Sequence, residues 1–326
     1  MDLLMLVYFV ALAVSLFFLW LSGDLSVKYS IETAAKFKLT TLFVGFVLIA
    51  ISTGLPELSV VISSLFHQSP GISAGTILGS NVCDISLVLG LAILLGRSIP
   101  IEPKECKDSF MLLLITTLAM VVVFLLGVLT RIVGLLLILI YVVAIWWLWK
   151  NSTKKEISEE EKEQKEAVAN HDPYLKRKWG ILLKLFFSVV AVLISSEFAV
   201  LFAIELTKML NLSLETVGAT IFAIGTSLPE ISVGLNAVKK REYSLALGNS
   251  LGSVLEQGTL LLGLLAFASP KSIDIRPLRT LAPFMFISFA IIFWGILMRK
   301  KLTRIEGLLM FTLFIVFMIY QIAWVR

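Results

Sequence analysis

Apolar residues in this chain come in long blocks, not in the short rhythms of half-buried strands and helices. Blocks of about twenty residues or more, enough to cross a bilayer core as a helix, cover 3–22, 39–66, 72–96, 108–128, 132–149, 180–209, 212–238, 244–268, 278–298 and 303–325. The pattern predicts an all-α integral membrane protein of about ten transmembrane helices, the first continuing past Asp24 as an amphipathic extension. One polar gap is long. It includes Lys154-Lys155-Glu156-Ile157-Ser158-Glu159-Glu160-Glu161-Lys162, a mixed-charge run of the kind that forms solvated linkers. The chain therefore divides into a unit at 1–149, a charged cytoplasmic linker at 150–179, and a second unit at 180–326.

Composition strengthens this reading. With 58% hydrophobic and 16% charged residues, the chain has too little charge to cover a soluble surface of its size. The net charge of +5 sits in the gaps between blocks, with no basic stripe interleaved with aromatics, so a nucleic-acid partner is not expected. With the span-edge residues Lys208, Arg279 and Arg304 counted in the adjoining gaps, the gaps after the odd-numbered spans hold 21 of the 28 Lys and Arg residues; 6 lie at the other gaps and termini, and Lys184 lies inside a span. The positive-inside rule then places both termini outside the cell membrane and the linker in the cytoplasm. Trp146, Trp147 and Trp149 read as an interfacial belt. Cys83 and Cys106 make neither a disulfide framework nor a zinc site, and His67 and His171 give no metal spacing. The first block lacks a basic leader and a small-residue cleavage site, so it reads as a retained helix.

Sliding the chain along itself by 173 positions lays 22–90 over 195–263 without a gap. Ala50-Ile51-Ser52-Thr53-Gly54-Leu55-Pro56-Glu57-Leu58-Ser59-Val60 falls on Ala223-Ile224-Gly225-Thr226-Ser227-Leu228-Pro229-Glu230-Ile231-Ser232-Val233. Gly75, Gly79-Ser80 and Gly90 fall on Gly248, Gly252-Ser253 and Gly263. Five spans separate equivalent points. That odd number makes the copies enter the membrane from opposite sides, the inverted-repeat plan of secondary transporters. The expected fold is two inverted five-helix repeats with broken helices at the centre.

Each copy carries a proline four residues after a small residue, at Ser52/Pro56 and Gly225/Pro229. Proline lacks an N–H and clashes with the carbonyl four back, so carbonyls there lose their helical donors. In lipid an orphaned carbonyl needs another partner, and a hard cation is one. Thr53 and Glu57, and Thr226 and Glu230, are four apart and share a helical face. The next span offers Ser80 and Asp84 in the first copy, and Ser253, Glu256 and Gln257 in the second. Carboxylates in a bilayer core mark ion pathways; with no Lys, Arg or His nearby, a divalent cation or several monovalent ones would neutralise them. Asp24, Glu32, Glu197 and Glu205 lie toward span ends, where interfacial hydration is expected instead.

These motifs resemble the sodium/calcium exchanger family of the cation/calcium antiporter superfamily, in its prokaryotic-type ten-helix form. The family carries G-T-S-L-P-E followed by G-S-N-x-x-D or -N in the next helix. Gly225-Thr226-Ser227-Leu228-Pro229-Glu230 and Gly79-Ser80-Asn81-Val82-Cys83-Asp84 match intact. The resemblance implies ion sites built by the second, third, seventh and eighth helices. It makes Glu57 and Glu230 the main calcium ligands, with carbonyls from Thr53 and Thr226. Sodium would be held by Ser80, Ser253, Asp84, Gln257 and the carbonyls of Ala50 and Ala223, with Ser227 supplying the motif hydroxyl. It implies electrogenic sodium uptake against calcium efflux, with no cofactor and no protein partner.

Two departures stand out. The first copy reads Ser52-Thr53-Gly54, losing a hydroxyl at Gly54, and the second reads Gly252-Ser253-Val254-Leu255-Glu256-Gln257, replacing the motif acid by Gln257 and adding Glu256 next to it. They leave open a proton-coupled calcium or divalent antiporter, in which Glu256 or Asp84 takes up the proton. A cation channel fits repeated prolines and enclosed carboxylates less well. An enzyme lacks a nucleophile with an adjacent base.

Overall fold

The computed structural model describes residues 3–34, 53–96, 98–101, 103–152, 178–210, 213–239, 241 and 243–324. Ala50, Ser52, the start of the second predicted span at 39–52 and the charged run at 154–162 lie outside the described residues. In chain order the helices are α1 (Leu3–Ala34), α2 (Leu55–Phe66), α3 (Pro70–Gly96), α4 (Pro103–Leu126), α5 (Arg131–Ser152) and α6 (Lys178–Leu210). They continue with α7 (Leu214–Lys239), α8 (Leu245–Ala268), α9 (Arg276–Arg299) and α10 (Arg304–Trp324). Nine helices among the described residues are long and apolar enough to cross a membrane, and α2 is the shorter tenth. The helix predicted to run past Asp24 does so, reaching Ala34.

The helices are apolar on nearly every face, so burial depends on where each one packs. In α3 and α8, 83% and 78% of the spanning stretch is buried inside the bundle, against 17% in α1. The outer helices turn Phe17, Phe18, Leu125, Ile132, Phe186 and Phe187 outward, as lipid contact requires. Between helices in lipid, cohesion comes from close backbone approach at small residues. Gly79 of α3 shows this: a Cβ there would lie 2.6 Å from the Ala219 carbonyl of α7, and one on Gly218 would lie 2.3 Å from the Ile72 carbonyl of α3. α3 and α7, from opposite halves, cross backbone to backbone at the middle of the molecule.

The repeat reaches further than the 22–90 match. Gly134 of α5 abuts Gly263 of α8, and Gly307 of α10 abuts Gly90 of α3. Both members of the second contact are the 173-position mates of the first, with the halves exchanged. Arg131-Ile132-x-Gly134-Leu135-Leu136 and Arg304-Ile305-x-Gly307-Leu308-Leu309 carry this extension in the sequence.

Short antiparallel strand pairs close the two ends. β1 (Ser98–Pro100) pairs with β4 (Lys301–Thr303), and β2 (Val128–Leu129) pairs with β3 (Ile273–Asp274). The first pair joins the gaps after the third and ninth spans, the second those after the fourth and eighth. Each pair thus joins gaps of one parity, as a ten-span alternation demands. β2 and β4 are repeat mates at opposite ends of the bundle, which is the inversion seen directly. Arg279 donates to the Phe124 and Leu125 carbonyls at the end of α4, and Arg131 donates to the Ser269 carbonyl. Beside them Arg276 binds both oxygens of Asp274 and holds that carboxyl down to about 2.

Apolar packing separates into two cores. One unites α3, α4, α5, α7, α8, α9 and α10. The other joins Leu12 and Leu19 of α1 and Val192, Ala199, Val200, Ala203 and Leu206 of α6 to Val60 of α2, Ile72 of α3 and Val217 and Phe222 of α7. The α1–α6 pair thus lies across the broken helices and shares this second core with them.

Replacing Gly79 by Val forces α3 from α7 and is expected to lower the detergent melting temperature by roughly 5 °C or more. Gly180→Ala, at a position with nothing within 4 Å, should leave it unchanged in the same thermal assay.

Candidate cation site

The proline breaks shape the site. Pro229 is the second residue of the helical segment Leu228–Lys239, and the preceding segment ends at Thr226 with Ser227 between them. Pro56 stands likewise in the first turn of α2, after Gly54. Proline is tolerated there because first-turn N–H groups lack helical partners anyway. Glu57 and Glu230 consequently fall in the first turns of new helices, where the positive end of the helix dipole favours negative charge. Gly23 of α1 covers both breaks: a Cβ there would lie 3.0 Å from Pro229 Cγ and 3.1 Å from Pro56 Cγ.

In α3 and α8, Asp84, Glu256 and Gln257 lie on π-helical turns, Asp84–Leu89 and Glu256–Leu261, just after Ser80 and Ser253. Such turns widen the helix and re-aim side chains, often at functional sites. Asp84 and Gln257 are repeat mates, and Gln257 Nε2 donates to Asp84 Oδ2 at 2.7 Å. The pseudo-twofold axis runs through this hydrogen bond. A carboxylate in both copies would oppose two like charges here; the amide supplies the donor that one partner needs.

Around the axis the sequence candidates gather. Thr53, Glu57, Ser80, Asp84, Ala223, Thr226, Ser227, Glu230, Ser253, Glu256 and Gln257 are all buried. Ser80 Oγ lies 3.3 Å from Thr226 Oγ1, 3.5 Å from Glu57 Oε1 and 3.5 Å from the Ala223 carbonyl. These separations exceed ordinary O–H···O bonds. They match the spacing of about 3.4 Å between adjacent oxygens around a cation with bonds of about 2.4 Å. Thr226 of the second copy stands beside Glu57 of the first, and Thr53 of the first beside Glu230 of the second. Ala50 lies outside the described residues.

The acids are close enough to repel: Glu57 and Asp84 each lie within Coulombic range of Glu230 and of Glu256. None of the four takes part in an ion pair among the described residues. Among the described residues, Glu57 Oε2, Asp84 Oδ1, both Glu230 oxygens, Glu256 Oε2 and Gln257 Oε1 are buried with no hydrogen-bond partner, as is the Ser253 hydroxyl. Buried acceptors in that condition are costly unless a cation satisfies them. No three Asp, Glu, His or Cys side chains among the described residues converge on one point at ligating distance. The donor set is accordingly mixed: carboxylates with hydroxyls and carbonyls, as suits hard cations.

Three neighbours were given no role by sequence reasoning. Asn249 of α8 donates to the Glu230 carbonyl at 3.3 Å and keeps Oδ1 unpartnered among the described residues. Asn81, quoted only as part of the motif, is anchored to the Ile77 carbonyl, its Oδ1 likewise unpartnered among the described residues. Tyr141 of α5 is buried near Glu256. A polar residue inside an apolar block was the available signal in each case. Glu197, expected to be hydrated, keeps 42% of its side chain exposed and also accepts from Ser63 at 2.5 Å and meets His67 Nε2 at 2.6 Å, while its mate Asp24 accepts from Ser232 at 3.2 Å. Both tie the α1–α6 pair to the broken helices.

Comparison with known proteins agrees with this geometry. The family described as Sodium/calcium exchanger protein matches residues 7–150 and 180–323. Sodium/calcium exchanger MaX1 from Methanosarcina acetivorans is 29% identical over 96% of this chain and 98% of its own. The putative antiporter CaxA from Alkalimonas amylolytica is 28% identical over 95% and 97%. A solved structure of the sodium-calcium exchanger NCX_Mj, soaked with Na+ and Sr2+, superposes with a TM-score of 0.69 at 26% identity, covering 100% of both chains.

Changing Gln257 to Glu would set two carboxylates at the axis. The expected result is a lower melting temperature in cation-free buffer, and a stabilisation by added calcium larger than that of the unmodified protein, read by thermal unfolding with and without chelator.

Proposed function

We propose that this chain, which belongs to the sodium/calcium exchanger family, is a secondary active antiporter that exchanges Ca2+ for Na+ by alternating access. One observation carries the reading: a cluster of buried, donor-poor carboxylates at the meeting point of two inverted repeats, with no basic side chain paired to it among the described residues. Glu57 and Glu230 hold calcium, with Thr53 and Thr226. Ser80, Ser253, Asp84, Gln257, Ser227, Glu256 and the carbonyls of Ala50 and Ala223 complete the overlapping sodium positions. The ligands come from the chain itself, so the exchanger takes no cofactor and does no bond chemistry.

Exchange in place of leakage follows from electrostatics. A cluster of bare carboxylates cannot be sealed from water on both sides, because desolvating unpaired charge costs several kcal/mol per group even after relaxation. Loading with one calcium or with several sodium ions removes that barrier, so only the loaded protein changes access. The moving element is the α1–α6 pair. It packs in an apolar core separate from the main one of the bundle and crosses the proline breaks at Gly23, so it can shift while the main core keeps its packing. The halves 1–149 and 180–326, joined by the cytoplasmic linker 150–179, place both termini on the external face of the cell membrane; the Lys and Arg distribution supports that orientation.

The test is calcium uptake into sodium-loaded liposomes diluted into sodium-free buffer. Uptake should require the outward sodium gradient, survive a protonophore, and fall to background in Glu230→Gln. Uptake that ignores sodium and follows an imposed pH gradient would replace this reading with proton-coupled exchange.

A further inference from the structure

We infer that Gly54 and Glu256 form a complementary pair that inserts an additional carboxylate into the cation cluster and tilts it toward divalent ions. The inference rests on the exchange reading above and concerns what sets its ion preference.

The two departures from the repeat motif meet in space. A Cβ on Gly54 would lie 2.9 Å from Glu256 Oε1, 3.1 Å from Oε2 and 3.1 Å from Cδ. The carboxylate of α8 thus rests in the notch left by the missing side chain at the α2 break. The opposite half of the molecule shows the alternative. There Ser227 is the repeat mate of Gly54 and Cys83 that of Glu256, and the Ser227 hydroxyl stands beside Cys83 and Asp84. One half pairs a hydroxyl with a small thiol; the other pairs no side chain with a glutamate. The volume lost at Gly54 is the volume Glu256 occupies, so the two changes read as one compensated substitution.

Its consequence is electrostatic. Glu256 is buried, keeps Oε2 without a donor among the described residues, and lies within Coulombic range of Glu57 and Asp84. A further negative charge at this point attracts a bound cation in proportion to the cation's charge, so it favours calcium over sodium. Gly54 is a positioning residue in this scheme. Its backbone is right-handed helical (φ −72°, ψ −4°), so alanine is accommodated there and what gives way is the end of the flexible glutamate.

The experiment is equilibrium calcium binding to purified protein, with sodium competition, for the unmodified chain, Glu256→Gln, Gly54→Ala and the double variant. Glu256→Gln should weaken calcium by about tenfold or more and sodium competition by about threefold, the ratio that charges of two and one dictate. Gly54→Ala, with Glu256 intact, should move calcium in the same direction, and the double variant should be no weaker than Glu256→Gln alone, the mark of coupled sites. Unchanged calcium affinity in Glu256→Gln, or losses that simply add, would overturn the pairing. If the unmodified protein binds no calcium, or binding survives Glu230→Gln, the exchange reading falls and takes the inference with it.

Discussion

Negative charge held in the interior of a bilayer without a basic partner is the condition to which the rest of this molecule answers. Glu57, Asp84, Glu230 and Glu256 are buried at the centre, where water cannot solvate them and no ion pair among the described residues reaches them. The proline breaks aim two helix N-termini at this point. The π-helical turns of α3 and α8 bring Asp84, Glu256 and Gln257 inward. The oxygen spacing around Ser80 leaves room for an ion instead of closing a hydrogen bond. In the proposed exchange cycle each feature presents oxygen to a cation, and charge neutrality is the gate through which access changes.

Duplication supplies the geometry, but strict symmetry would be a liability. At the axis itself, mates face each other, so two identical acids would repel at the closest approach in the site. Asp84 against Gln257 resolves this with a donor on one side only. Away from the axis the copies diverge again, with Gly54 and Glu256 on one side and Ser227 and Cys83 on the other. The repeats keep what builds the scaffold, such as the Gly134–Gly263 and Gly307–Gly90 contacts. They differ where a charge has to be placed.

The same asymmetry appears where α1 and α6 meet the broken helices. Glu197 with Ser63 and His67, and its repeat mate Asp24 with Ser232, tether α6 and α1 to those helices. Glu197 has two partners and Asp24 a single longer hydrogen bond. The partners on the broken helices are not mates of each other, so the two copies are held in different ways.

Much of this was written in the chain itself. Blocks of twenty apolar residues dictate membrane helices because lipid offers the backbone no partner. The 173-position repeat with its odd span count dictates inversion, and Leu-Pro-Glu dictates a helix break beside an acid, since both are properties of local sequence. Which acids meet was not local. That Gln257 reaches Asp84, that Glu256 lies against Gly54, that Glu197 meets His67, and that the repeat extends through Gly134 and Gly307 all depend on the crossing of helices from opposite halves. Hydropathy cannot encode those pairings, because in a chain apolar on every face the pattern says that a helix is in the membrane and not which neighbour it faces. Only close packing of backbones at glycines, and the demand of each buried polar atom for a partner, decided that.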